Sequence, residues 1–339
     1  MTRLAVHAGA QAIASALRSG IKTARSGSKV AAKAGSRPAQ VKPGSRAGAN
    51  SGWAGRRRYQ LYKPTGVNIG EPLPLFVMLH GCGQNGQSMA SASQMNQVAA
   101  RERFLIVYPE QDRSANLHGC WNWFATRSGQ AQREADAILS VVDLIIQTQP
   151  VDTNRVALVG FSAGAGMAAL LATRHPGRFR TLVMHSGIAP GVARSQAGAL
   201  AAMRGRGPQA LSLPPLTAGS AGEPLPSLLV IHGAGDHVVV PQNASDAAQR
   251  WAACEGAQSV SVRTVQRGAR YPMTITDYSE QRRLVVRHCL IKGLGHAWSG
   301  GAANQANSDP KGPNAARMIW AFAASQFRGL PRNAIPLIA

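Results

Sequence analysis

The stretch Val156-Ala157-Leu158-Val159-Gly160-Phe161-Ser162-Ala163-Gly164-Ala165-Gly166-Met167 decides how the rest of the chain reads. An apolar run short enough for a buried strand meets Gly-x-Ser-x-Gly and passes into an Ala/Leu-rich helical pattern from Met167 to Ala172. A serine set between strand and helix in this way sits on a tight turn. Its hydroxyl is exposed, and the backbone N–H groups after it point at a reacting carbonyl. Small residues at Gly160 and Gly164 let neighbouring backbone approach. The pentapeptide alone is a weak signal in a chain with 36 glycines, and the flanking strand and helix supply the specificity.

Strand-like and helix-like segments alternate on both sides of this turn. Leu73 to Leu79 and Phe104 to Tyr108 read as buried strands, and Arg58 to Tyr62 alternates like a half-buried one. Met89 to Arg101 suits a helix. Arg133 to Gln149 is amphipathic, with Ala137, Val141, Leu144 and Ile145 on one face, and Pro150 closes it. Thr181 to Met184, Ser227 to Ile231 and Arg283 to Ile291 are further strands. Apolar strands alternating with helices predict the α/β class: one domain over residues 56–330, with a mostly parallel central sheet and helices on both faces. Residues 191–226 read as an insertion over the sheet edge, and residues 331–339 as a C-terminal tail.

Residues 1–55 differ in texture, being rich in Ala, Gly, Ser and Lys/Arg and poor in aromatics. Residues 1–63 hold 13 Lys/Arg and no Asp or Glu, a large share of the formal net charge of +22. Two readings stand for this basic, low-complexity extension. One is a solvated tail; the other is an electrostatic arm for an anionic surface such as nucleic acid, phospholipid or a coated granule. No apolar stretch approaches the ~18 residues of a spanning helix, and no unbroken apolar core of a signal peptide is seen. That expectation favours the cytoplasm, granule-associated or not, over an extracellular location. Cys82, Cys120, Cys254 and Cys289 are widely spaced, without zinc-ligand spacing, so no metal is expected. They read either as two disulfides in an oxidising compartment or as buried thiols.

Acyl transfer by serine needs a base near the hydroxyl, a carboxylate to orient that base, and donors for the oxyanion. In α/β hydrolases these follow in the order Ser, Asp/Glu, His. After Ser162, Asp236 lies on the loop leaving Ser227 to Ile231, and His296 on a glycine-flanked loop after Arg283 to Ile291. Both loops open at the carboxyl edge of a parallel sheet, as the serine turn does. Asp143, Asp152, Asp246 and Asp277 are poorer candidates because none directly follows a buried strand. His80 and His232 each precede a glycine at a strand end and are expected to hold loops through hydrogen bonds. The expected oxyanion donors are the N–H groups of Ala163 and of Cys82, in the loop His80-Gly81-Cys82. Cys120-Trp121-Asn122-Trp123-Phe124 puts three aromatics in a chain only 5% aromatic, either as a core plug or as an apolar wall of a substrate cleft. Trp298 is a second wall candidate. The chemistry needs no cofactor.

These residues resemble the polyhydroxybutyrate depolymerase-like esterases of the α/β-hydrolase superfamily, which have feruloyl and acetylxylan esterase relatives. The resemblance rests on Leu79-His80-Gly81-Cys82-Gly83-Gln84, Cys120 to Phe124, Gly160 to Gly164, the loop with Asp236 and Pro241, and Gly295-His296-Ala297-Trp298-Ser299-Gly300-Gly301. It implies a Ser/Asp/His triad that cleaves carboxylic esters, a Cys82–Cys120 pair beside the active site, and polymer contact at Trp121. The expected substrate is a polyester of the poly(3-hydroxybutyrate) type or its oligomers; the alternative is a feruloyl or acetylxylan ester, with the aromatics gripping a phenolic or sugar ring. A remote alternative is a granule- or nucleic-acid-binding protein that uses the basic tail. Secreted members carry a signal peptide, and polymer degraders add a linker and a binding domain. The expectation here is an intracellular form or one acting on soluble oligomers.

Overall fold

The computed structural model describes residues 49–68, 70–208, 213, 216, 223–328 and 330. Six strands run parallel: β3 (Leu73–Leu79), β4 (Leu105–Pro109), β5 (Val151–Phe161), β6 (Thr181–His185), β7 (Ser227–Gly233) and β10 (Arg283–Ile291). The antiparallel pair β1 (Ala49–Ala54) and β2 (Arg57–Tyr62) extends one side of the sheet, and the hairpin of β8 (Gln258–Val265) and β9 (Met273–Glu280) extends the other. The order β1-β2-β4-β3-β5-β6-β7-β10-β9-β8 reverses at β4-β3, beside the strand that carries the serine, and again at the β10-β9-β8 edge. Strand β1 begins before residue 56, inside the segment read from sequence as a low-complexity extension. The remainder of that extension and the C-terminal tail lie outside the described residues.

The parallel strands are apolar at nearly every position because both faces are covered. In β3, Leu75, Val77 and Leu79 join one core while Phe76 and Met78 join the other, the period of two that a pleated strand imposes. The first core is closed by α3 (Gln130–Thr148), α4 (Ala163–Arg174) and α6 (Gln242–Cys254), the second by α1 (Gly86–Ser93), α2 (Met95–Glu102) and α7 (Ala315–Phe327). The helix expected from Met89 to Arg101 is two helices. Gln94 takes a left-handed conformation with φ of 57° and donates its N–H to Ala90 O, which caps α1, and α2 restarts at Met95. Within residues 191–226, α5 (Gln196–Met203) packs Ala199 and Ala202 into the first core and gives a carbonyl to Asn243 of α6, so this described part covers a face and not an edge. No helix among the described residues is long and apolar enough to cross a membrane.

The β8–β9 hairpin is not anticipated from sequence. Alternation in Ser259-Val260-Ser261-Val262 and in Met273-Thr274-Ile275-Thr276 is the signal that marks it, but β8 is exposed on both faces, so its pattern reports no buried side.

Packing is very close where β5 turns into α4. A Cβ at Gly160 would overlap the backbone of Gly164, and one at Gly164 would overlap the carbonyls of Leu79 and His80. Gly164→Ala should therefore lower unfolding stability by about 2 kcal/mol, the scale of overpacking at an unyielding site. Urea unfolding of the two proteins measures this, and an unchanged midpoint would contradict the packing.

Candidate active site

Phe161 ends β5, and Ser162 follows with φ of 54° and ψ of −119°, a conformation L-residues rarely adopt. Two hydrogen bonds fix it: Ser162 N–H donates to His185 O at 2.9 Å, and Ala165 N–H donates to Ser162 O at 3.0 Å as α4 begins. The side chain is thereby thrown clear of both elements toward the carboxyl edge of the sheet.

His296 and Asp236 meet it there. His296 Nδ1 lies 2.7 Å from Asp236 Oδ2, and His296 Nε2 lies 2.9 Å from Ser162 Oγ. Asp236 is fully buried. Burial opposes its ionisation, but His296 and His232 outweigh that and hold the carboxyl below the usual carboxylate range. An ionised carboxylate only accepts, so Nδ1 of His296 carries the proton and Nε2 is left to accept from the serine hydroxyl. The other oxygen, Oδ1, takes N–H groups from Val238 and Val239 at 2.9 and 2.8 Å. His232 donates from Nε2 to Val239 O at 2.8 Å and sits 3.3 Å from Asp236 Oδ2, bracing the loop as expected.

One bracing residue was not singled out from sequence. His185 ends β6; its Nε2 accepts the Ser299 N–H at 3.1 Å, leaving Nδ1 to donate to Ser186 Oγ, also at 3.1 Å. Its ring stacks on Trp298 with centroids 4.9 Å apart. Burial, with His232 and His296 nearby, pushes this imidazole down to about 3, so it stays neutral and keeps its acceptor. His185 thus ties the loop after His296 to the strand beside the serine. A His-Ser-Gly run at the end of a predicted strand was the available signal.

On the other side, the loop after β3 is held by a disulfide between Cys82 and Cys120, the pair that the resemblance implies. His80 donates from Nδ1 to Gly81 O at 2.9 Å and accepts Gln111 N–H at Nε2 at 3.1 Å; burial pushes it down to about 4. Cys254 and Cys289 are free. They cannot pair because Cys254 packs on the first core and Cys289 lies in the second, with the sheet between them.

The three tryptophans separate. Trp121 is 0% exposed; its Nε1 donates to His80 O at 3.0 Å, and the buried Arg57 guanidinium lies 5.3 Å over its ring. Trp298 is 2% exposed beneath His185. Neither forms a substrate wall. Both are core residues that shape the loops. Trp123 instead lies over Gly166 and lines a cleft of about 580 Å³ with Leu170, Ile188 and Pro190, flanked by Arg127, Arg194 and Arg250. Gly166 and Leu170 follow Ser162 at four-residue steps on one stripe of α4, so this wall starts about 6 Å along the helix from the serine. The triad residues are not part of the cleft lining and are themselves buried.

A family model described as Esterase PHB depolymerase matches residues 57–267. Poly(3-hydroxyalkanoate) depolymerase C of Paucimonas lemoignei is 28% identical over 247 residues, covering 70% of this chain and 58% of that protein. Feruloyl esterase B of Thermothelomyces thermophilus is 30% identical over 191 residues, covering 52% and 64%. A probable acetylxylan esterase A of Neosartorya fischeri is 26% identical, covering 63% and 61%. The chain thus spans roughly three fifths of the length of these relatives. Among solved structures, an acetyl xylan esterase from Aspergillus awamori superposes with a TM-score of 0.57 at 17% identity, covering 71% of this chain and 89% of that one. The fold is that of the α/β hydrolases.

His80, His185 and His288 are all held neutral in the fold, near 4, 3 and 4, chiefly by burial. Once unfolded, each would take up a proton below about pH 6.5. Their stabilising effect is therefore complete above pH 6.5 and lost as pH falls toward 4. The melting temperature should drop steadily from pH 7 to pH 4, with about three protons taken up by these groups on unfolding near pH 5. A flat profile across that range would contradict the assignment.

Proposed function

The chain belongs to the Esterase PHB depolymerase family, and from that premise we propose that it is a serine hydrolase cleaving carboxylic esters through an acyl-enzyme on Ser162. The observation that carries this is the unbroken hydrogen-bonded line from Ser162 Oγ through His296 to Asp236. His296 Nε2 takes the serine proton as Oγ attacks the ester carbonyl, then returns it to the departing alcohol oxygen. In the second half His296 draws a proton from water, whose oxygen attacks the acyl carbon and releases the acid. Asp236 keeps the imidazole in the tautomer that can accept and stabilises the imidazolium formed in each half.

The oxyanion is assigned to the N–H groups of Ala163 and Cys82. Ala163 opens α4, where an N–H has no intrahelical acceptor. Cys82 lies on the loop after β3, whose start packs against Gly164, and its disulfide to Cys120 restrains it. Each donor is worth about 3 kcal/mol in the transition state. Ser162→Ala should cut turnover of 4-nitrophenyl butyrate at least ~10⁴-fold, and Asp236→Asn by a comparable factor, since Asn disfavours the required tautomer. Either variant retaining near wild-type turnover would sink the assignment.

The proposed substrate is a 3-hydroxyalkanoate polyester or its oligomers, supported by the family description and by the depolymerase relative. The feruloyl esterase and acetylxylan esterase relatives support a second reading, in which Trp123 meets a phenolic or sugar ring. Side-by-side assays on polyhydroxybutyrate granules, soluble hydroxybutyrate oligomers, methyl ferulate and acetylated xylan decide between them. Acid release from the hydroxybutyrate substrates alone is the result expected.

Residues 56–330 are proposed as the catalytic unit, and the basic segment before it as an electrostatic arm for an anionic surface, supported by its 13 Lys/Arg without an acidic residue over residues 1–63. Removing residues 1–48 should abolish salt-sensitive adsorption to anionic vesicles or coated granules while leaving turnover of the soluble ester unchanged. Unchanged adsorption would identify the segment as a solvated tail.

A further inference from the structure

A second cavity, of about 690 Å³, lies away from the triad, between the β8–β9 hairpin, β10 and α7. Its volume falls in the range of small-molecule sites. Strands β9 and β8 form this edge of the sheet, and Met273 and Ile275 of β9 share the cavity lining with Met318 and Phe322 of α7. Met318 and Phe322 are one turn apart on α7, on the stripe that faces the sheet.

The floor is apolar and the rim is cationic. Arg263, Arg267, Arg270, Arg287 and Arg317 all line the cavity, and no Asp or Glu does. Arg263 and Arg287 share Asp277, at 2.8 and 2.6 Å, which offsets one of their two charges. Arg270 gives its hydrogen bonds to the carbonyls of Pro310 and Gly312, so its charge is not cancelled. Asp309 sits against Tyr271, another lining residue. Among the described residues Arg267, Arg270 and Arg317 have no carboxylate partner within salt-bridge distance. Arg317 lies in the first turn of α7, where the helix dipole disfavours a cation and favours an anion.

We propose that this cavity binds a single-chain amphipathic anion, with its acyl chain on Met273, Ile275, Met318 and Phe322 and its head group between Arg267, Arg270 and Arg317. Both halves are needed. Guanidinium groups at a wet rim hold an isolated small anion weakly, and an uncovered apolar floor does not select a charged head group. A chain with an anionic head satisfies both without burying an unpaired charge.

The probe is dodecanoate below its micellar concentration, titrated calorimetrically into full-length Ser162→Ala protein, so that turnover plays no part. Dodecyl phosphate reports whether a second anionic head is accepted, dodecanol removes the charge, and butyrate removes the chain. Saturable binding of dodecanoate is expected, with dodecanol and butyrate each at least tenfold weaker. Combined Arg267→Gln and Arg317→Gln, both exposed positions, should weaken dodecanoate about tenfold. Ala321→Trp, which fills the cavity from α7, should abolish it, while Arg127→Gln beside the other cleft should leave it unchanged. The proposal is overturned by an absence of binding, by equal binding of dodecanol, or by binding that survives the two arginine substitutions and responds to Arg127→Gln instead.

Discussion

The structure depends on one backbone constraint: Ser162 is held at positive φ between a strand and a helix that touch. That conformation costs on the order of 1–3 kcal/mol and persists only if its surroundings leave no alternative. Gly160 and Gly164 permit the approach, the end of β3 fills the space behind Gly164, and His185 O takes the serine N–H. Register then places everything else. Phe161 pairs with His185, His185 with Ile231, and Ile231 with Cys289, a line at which β5 and β6 end and beyond which β7 and β10 run two residues further. Ser162 is one residue beyond that line, Asp236 five and His296 seven. A one-residue slip in any parallel pair would move a side chain to the opposite face of the sheet, which two packed cores forbid.

Around this line the buried histidines act as fixed, neutral connectors. His80 and His185 each use one ring nitrogen as donor and the other as acceptor for a backbone N–H. A protonated ring would lose the acceptor and place a positive charge near His296, which the proposed mechanism makes cationic in turn. Burial prevents that, and the same burial that makes the connectors costly to protonate makes the loops they hold stiff. The tryptophans work with them: Trp121 holds the His80 carbonyl and Trp298 stacks on His185.

How much of this was legible in the sequence follows from which interactions are local. The elbow is local, since strand, Gly-x-Ser-x-Gly and helix are contiguous, and the loops of Asp236 and His296 declare themselves by following apolar strands. The parallel sheet follows from alternation of apolar runs and helices. What was not legible is non-local. Nothing adjacent to His185 shows that Ser299, more than a hundred residues later, donates to it. The Trp121-Asn122-Trp123 motif leaves two readings open because its alternate side chains go opposite ways, Trp121 into the core beside β3 and Trp123 over α4. The break at Gln94 is a choice of backbone conformation that helical periodicity does not encode. The disulfide was legible only through family resemblance, since four cysteines allow three pairings.

The charge distribution adds a last step. Several of the chain's few carboxylates are committed to internal contacts: Asp236 to His296, Glu134 to Asn122, Glu110 to Gln60, and Asp277 to two arginines. With 15 Asp and Glu against 37 Lys and Arg, the formal excess is +22. The outward field is consequently positive, and low-dielectric clefts focus it. The triad line is buried and internally balanced, with Asp236 supplying the charge that an imidazolium needs. The two clefts differ from it in being lined by arginines and by no Asp or Glu. Ester cleavage by the proposed route turns a neutral substrate into an acid that ionises. The field that does not distinguish the neutral ester therefore attracts what is made from it.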